Sequence, residues 1–333
     1  MVRGSPSGRK LRQALSFVFG SVIIALLVWY TGYREFVTAL NSASLPLILL
    51  GVIIYLLSWP VRIIQMYVCL LVLRSKLGAR DLFEINIAGY AINVILPAKI
   101  GDVARAVYLT QEGVPIDRAV ATITYIRIAD LAGVTCLALF TASFIETALF
   151  PSWLQRTFIG VVALLMMVLT FAIISRYADG TVTLTTTWTR MIGLIESRLF
   201  HNIVHIGGQI TVEFDRLVFS PYSLFTTAIT SVIIWILEAL TAYVIALSLG
   251  FHTPVITIVF AVSVANMTNV LPLTPGSLGV YEAAFTASLG LFGLTTGAVV
   301  AVALLEHALK NLFLVAVGIP IATQRGTGVV LEW

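Results

Sequence analysis

Asn93-Val94-Ile95-Leu96-Pro97-Ala98-Lys99-Ile100-Gly101-Asp102 and Asn269-Val270-Leu271-Pro272-Leu273-Thr274-Pro275-Gly276-Ser277-Leu278-Gly279 are the two stretches that decide the fold. Each interrupts an apolar segment, at residues 82–112 and 255–291 respectively. Proline removes a backbone donor, and glycine enters conformations closed to other residues, so each stretch breaks a helix. Both segments therefore read as an apolar arm, a break and a second short arm. Re-entrant helical hairpins fit this pattern; so does a pair of short or broken spanning helices in each.

The two segments resemble each other beyond the break. Gly101 and Gly276 follow the prolines Pro97 and Pro272 at the same spacing, and Gly113-Val114 aligns with Gly293-Leu294. The same offset places Arg127 on His307 and Asp130 on Lys310. Each half then runs as long helix, broken hairpin, long helix, over 45–145 and 222–320. An odd number of crossings between the hairpins inverts one half relative to the other. Inverted repeats with broken helices meeting at the midplane are a transporter pattern.

Six apolar runs are long enough to cross a bilayer, at 13–32, 45–73, 117–145, 156–175, 222–249 and 296–320. Trp59-Pro60 predicts a kink in the second. The first follows Arg3, Arg9, Lys10 and Arg12 without a small-residue cleavage pattern, and reads as a retained helix. With the N-terminus inside, nearly all basic residues fall on the cytoplasmic side, and only Arg34 and Arg156 lie outside. That bias predicts cytoplasmic N- and C-termini in a plasma (inner) membrane protein, with the hairpins entering from opposite faces. The more polar stretch 185–219 repeats apolar residues at helical spacing. It suits a helix on the cytoplasmic membrane surface or a spacer packed on the bundle. No linker divides the chain, so one domain is expected.

Composition agrees. The 333 residues are 59% hydrophobic and 11% charged, with a mean hydropathy of +1.00. Soluble domains are about half apolar and a quarter charged. A disordered chain, a secreted disulfide scaffold and a soluble nucleic-acid binder are excluded. Cys69 and Cys136 lie in apolar runs and have no disulfide or metal spacing. No phosphate-binding loop and no zinc motif is present, so neither metal nor cofactor is expected.

A charge at mid-bilayer costs about 2.5–3.5 kcal/mol. Arg62, Glu84, Arg127, Asp130, Glu238, Glu282, Glu306, His307 and Lys310 lie within or beside apolar runs. They must pair with one another or face water. One polar cavity between the two halves achieves both, and structural ion pairs pinning the helices are the alternative. The expected lining is Lys99, Asp102, Arg105, Arg127, Asp130, Glu282, Glu306 and Lys310. Pro97, Gly101, Pro272, Pro275, Gly276 and Gly279 form the breaks that gate it. Glu282, Glu306 and His307 are candidates for proton coupling. Lys99 and Arg105 suit a phosphate near a helix start, or snorkel to headgroups. Glu282 meets a cation or a proton, or simply stabilises the start of its own helix. Asn93, Asn266 and Asn269 read as caps of the broken helices.

The first break, with Arg127-Ile128-Ala129-Asp130, and the second, with Val280-Tyr281-Glu282, resemble the flippase-like domain family. That family includes the membrane half of lysylphosphatidylglycerol synthases (multiple peptide resistance factors). The resemblance runs from about Leu45 to Pro320. It implies translocation of a phospholipid or a prenyl-phosphate-linked glycolipid, with a lipid-synthesis enzyme as the supplying partner. Family members often carry an acid before the arginine of Arg-x-x-Asp; Ile126 stands there in this chain, and that acid's role does not carry over. Few residues follow the last run, so the expectation is the translocating part alone, without enzymatic activity. The readings held beside it are a membrane-embedded lipid-modifying transferase, a small-solute transporter and a scaffold for lipid synthesis.

Overall fold

The computed structural model describes residues 18, 21–26, 28–29, 33–96, 98–145, 150–177, 198–268, 274–294 and 297–326, without the side chains of 153, 177 and 198–205. Much of the first apolar run, Pro97, Asn269, Pro272 and residues 185–197 lie outside them. The described residues contain helices and turns and no strand. The helices are α1 (Tyr33–Asn41), α2 (Leu45–Val72), α3 (Ala79–Ile95), α4 (Ile100–Gln111), α5 (Ile116–Ala142), α6 (Ser152–Tyr177), α7 (Arg198–Val218), α8 (Pro221–Ser248), α9 (Val255–Met267), α10 (Val280–Gly290), α11 (Gly297–Phe313) and α12 (Ile319–Gln324). A π segment, Leu314–Gly318, joins α11 to α12.

Five helices are long and apolar enough to cross a membrane: Leu45–Val72, Ile116–Ala142, Leu154–Arg176, Pro221–Ser248 and Gly297–Gln324. They match five of the six expected runs. The chain is an all-α polytopic membrane protein. Ile159, Met166, Met167 and Phe171 of α6 are exposed, as lipid-facing residues are. Proline opens two of the long helices, Pro46 after Ser44 and Pro221 after Ser220, where a missing N–H costs nothing. α2 runs as one helix through Pro60.

Both broken segments are helix–break–helix hairpins. α3 packs on α4, and α9 packs on α10. Ala98 (φ 62°) and Lys99 (φ 55°) make the first break left-handed. Gly276 (φ 57°), Ser277 (φ 59°) and Gly279 (φ 80°) do the same in the second. The short second arms end alike. Val114 N–H bonds to the Leu109 carbonyl at 3.1 Å around Gly113, and Leu294 N–H to Leu289 at 3.2 Å around Gly293. The halves interlock: α2 lies along α8, α9 packs on α5, and α3 packs on the π segment. The hairpin tips meet, since a Cβ added to Gly276 would lie 3.2 Å from the Val94 carbonyl oxygen. The second arm of the first hairpin depends on Gly101, where an added Cβ would run into the Gly89 carbonyl and stand 2.7 Å from Asn93 Oδ1. Gly101→Ala is expected to cost about 1–3 kcal/mol, because backbone blocks relaxation. Thermal unfolding in detergent checks it against Gly160→Ala, which meets nothing within 4 Å. Equal midpoints for the two variants would refute the close approach.

α7 packs on α5, with Phe214 and Leu217 in the same core as Tyr125. At one end of the bundle Arg325 grips Glu84 (2.8 Å), Glu112 (2.7 Å) and Asp81 (3.6 Å), which ties the last helix to both arms of the first hairpin. Hydrogen bonds from Arg80 and Arg325 hold the Glu84 carboxyl below its usual range.

Candidate functional site

The hairpin tips and helices α2, α5, α8 and α11 line a partly open cavity of about 390 Å³. Its charged wall is Arg62, Lys99, Asp102, Arg127, Asp130, Glu238 and Lys310, with His307 beside them. Tyr90, Asn93, Asn266, Ser277 and Asn311 add polar groups, and Val94, Leu131, Trp235 and Leu314 supply apolar wall.

The first cluster is built on the first break. Asp102 is the third residue of α4, where an acid meets the positive end of the helix dipole. Arg127 of α5 clasps it with two bonds, Nε to Oδ2 at 2.8 Å and Nη2 to Oδ1 at 2.6 Å. Asn93 donates to the same carboxylate at 3.2 Å, and its Oδ1 accepts from Gly101 N–H at 2.8 Å. Asn93 is thus the cap expected of it. Arg105 stands behind this layer, almost fully buried, donating to Asn86 Oδ1 at 2.5 Å. Gly89 makes its space, since a side chain there would collide with Arg105.

The second cluster repeats the plan. Glu282 is the third residue of α10 and reaches back to accept from Gly279 N–H at 2.7 Å, satisfying a free donor at the helix start. His307 Nδ1 meets its other oxygen at 2.7 Å. Asp102 and Arg127 are 25 residues apart, and Glu282 and His307 are also 25 apart.

Between the clusters lies a charge chain that crosses from one half to the other. Arg62 Nη2 donates to Glu238 Oε1 at 2.7 Å, and Lys310 Nζ to Glu238 Oε2 at 2.5 Å. Lys310 also pairs with Glu306, one turn away. Two cations and two carboxylates balance. Asp130 is held by neutral donors, Gln65 and Ser231, each at 2.9 Å. Tyr90 joins the system: the Arg62, Arg105 and Arg127 guanidiniums lie 5.2, 5.1 and 5.0 Å from its ring centre. Lys99 lines the cavity and takes part in none of the ion pairs among the described residues.

Five of the eight residues expected to line a cavity therefore do so: Lys99, Asp102, Arg127, Asp130 and Lys310. Three do not, and this corrects the sequence reading. Arg105, Glu282 and Glu306 are 1%, 1% and 0% exposed and stand behind the wall, against Asp102, His307 and Lys310, which occupy it. Of the break residues, Gly276 lines the cavity, while Pro275, Gly279 and Gly101 shape the turns beside it. Arg62, Gln65, Tyr90 and Glu238 join the site without belonging to the expected set. Arg62 and Glu238 do announce themselves in the sequence, as charges in apolar runs. Tyr90 gives no signal, because a tyrosine in an apolar helix is ordinary core.

Residues 14–318 match the family described as lysylphosphatidylglycerol synthase TM region. The chain belongs to this family. Among curated relatives, this family member is 29% identical to Glycosyltransferase AglD of Haloferax volcanii, over 93% of the chain and 54% of that protein. It is 22% identical to a UPF0104 membrane protein of Methanothermobacter thermautotrophicus, over 96% of the chain and 97% of that protein. A third relative, UPF0104 membrane protein PH1989 of Pyrococcus horikoshii, is 20% identical over 90% of the chain and 93% of its own length. The chain thus spans about half of the first relative and nearly all of the other two. Family and relatives together point to a membrane function connected with lipids. The first relative's name also corrects the expectation of a chain without catalysis, because it points toward an enzymatic role.

Proposed function

We propose that the protein translocates a lipid with an anionic, phosphate-bearing headgroup, a phospholipid or a prenyl-phosphate-linked lipid. In this reading the headgroup enters the central cavity and the tails stay in the bilayer. The two hairpins are re-entrant arms of an inverted repeat, open alternately to opposite leaflets. The termini lie in the cytoplasm, and a lipid-synthesis enzyme supplies the substrate. The observation that carries the proposal is Lys99. The other wall cations, Arg62, Arg127 and Lys310, already hold carboxylates. Among these four, Lys99 brings a charge without an ion-pair partner among the described residues, at a break between helices. A phosphate at that point would complete the pairing.

The test is a vesicle assay with headgroup-labelled lipids and an impermeant quencher. Vesicles holding the protein are expected to expose inner-leaflet label faster than empty vesicles, and faster for anionic than for zwitterionic lipid. Equal rates with and without protein across both lipid classes would end the reading.

The glycosyltransferase relative favours a second reading, a transferase acting on a lipid carrier in the same cavity. Asp130 then serves as the general base. Its carboxylate faces the cavity and is held by neutral groups, whereas Asp102 is clasped by Arg127. Turnover of a nucleotide-sugar donor onto a polyprenyl phosphate by purified protein, abolished in Asp130→Asn, would favour this reading over transport.

A further inference from the structure

A second concavity, of about 400 Å³, lies where α2, α6 and α7 end. It is lined by Val72, Arg74, Arg176, Arg216, Phe219 and Ser220. Three arginines share a wall that contains no carboxylate among the described residues. They come from separate elements: Arg74 follows α2, Arg176 ends α6 and Arg216 ends α7. Acids stand beside the wall without lining it, and Arg216 is already paired with one of them. Glu213 accepts from Arg216 at 2.8 Å and lies 3.7 Å from Arg118, while Asp215 accepts from Ser175 at 2.7 Å. Phe219 stiffens the site, with the Arg176 guanidinium 4.6 Å from its ring centre. Ser220 caps the start of α8 by accepting from Ser223 N–H at 3.3 Å.

Arg74 carries the argument further. Two hydrogen bonds close the end of α2 around it, Ser75 N–H to the Leu70 carbonyl at 2.8 Å and Arg74 N–H to Leu71 at 3.0 Å. Its φ is 57°, the left-handed position that glycine takes by default in this motif. Arginine is strained there. It is exposed and pairs with no acid among the described residues, so no ion pair among them repays the strain.

We infer that Arg74, Arg176 and Arg216 form a phosphate-binding site at the membrane surface, separate from the central cavity. The shared ligand chemistry is a phosphate-type anion, presented by a lipid headgroup or free in solution. Basic pockets between spanning helices on the cytoplasmic side suit lipid phosphates.

The test uses the full chain in detergent with Lys99→Gly in the background, so that anion held in the central cavity does not contribute. Thermal stabilisation is titrated with phosphatidylglycerol, phosphatidylcholine and inorganic phosphate. Phosphatidylglycerol is expected to stabilise more than phosphatidylcholine. Adding Arg74→Gly is expected to weaken the phosphatidylglycerol response about fivefold while leaving the ligand-free midpoint equal or higher. Arg176→Gln checks the second wall with the same expected loss. A response to phosphatidylglycerol alone assigns the headgroup as the source; an equal response to inorganic phosphate assigns a soluble anion. The inference is overturned if neither anion stabilises beyond phosphatidylcholine, or if Arg74→Gly responds like its parent.

Discussion

Glu238→Ala is expected to destabilise the protein by about 3–5 kcal/mol, a fall in thermal midpoint of roughly 5–10 °C. Glu238 is 6% exposed and accepts from Arg62 of α2 and Lys310 of α11 at once. Without it, Lys310 keeps Glu306 but the Arg62 guanidinium loses its carboxylate, in a setting where a stray charge is expensive. The cost comes from stranding the guanidinium, and that has a measurable consequence. In Arg62→Met/Glu238→Gln the stranded charge is gone, Lys310 keeps Glu306, and the amide that replaces the Glu238 carboxylate still offers Lys310 an acceptor. The double variant is expected to be more stable than Glu238→Ala and to lose less than Arg62→Met and Glu238→Gln added together. Thermal unfolding followed by tryptophan fluorescence reads the parent and each variant. Strict additivity would show that the chain of charges is not a unit, and that the helices are held by apolar packing alone.

The sequence exposes this unit only in part, and the reason is distance along the chain. Apolar runs and Pro/Gly breaks are local signals, so the spanning helices and both hairpins are legible from residue order alone. Arg127 with Asp130, and His307 with Lys310, are visible because a repeat offset aligns them. Which charge meets which is a tertiary matter. Arg62 and Glu238 are 176 residues apart and meet because α2 lies along α8. Arg127 and Asp130 occupy one helical face, which suggests mutual pairing, yet Arg127 turns to Asp102 and Asp130 turns to Gln65 and Ser231. Glu282 shows a local rule winning over a long-range expectation. At the third position of α10 a carboxylate reaches back to the Gly279 N–H and pairs with His307, which stands between it and the cavity, so the acid expected to face a substrate is used locally. Arg105 is expected in the wall because it follows a break by one turn. Gly89 draws it inward instead, by leaving room for its side chain on α3.

Lys99→Gly is expected to weaken transport of anionic lipid strongly without harming the fold, and the comparison between the two halves explains why. Lys99 precedes α4 at φ 55°, and Gly279 precedes α10 at φ 80°. The two occupy the same place, ahead of an acid at the third helical position. The second half uses the residue that the left-handed backbone favours. The first half puts a lysine there, in a conformation that costs about 1–2 kcal/mol for a residue with a Cβ. No ion pair among the described residues repays that cost. Removing the side chain is therefore expected to leave the thermal midpoint unchanged or to raise it. A charge-assisted hydrogen bond contributes about 1.5–3 kcal/mol, so losing it is expected to weaken apparent affinity for an anionic lipid roughly 10- to 100-fold in the vesicle assay. Lys99→Arg keeps the charge and is expected to retain part of the rate. Zwitterionic lipid without a net negative headgroup is expected to respond less to either change. Full transport by a stable Lys99→Gly protein would remove the cavity lysine from the mechanism and leave the strained backbone at Lys99 without a functional cause.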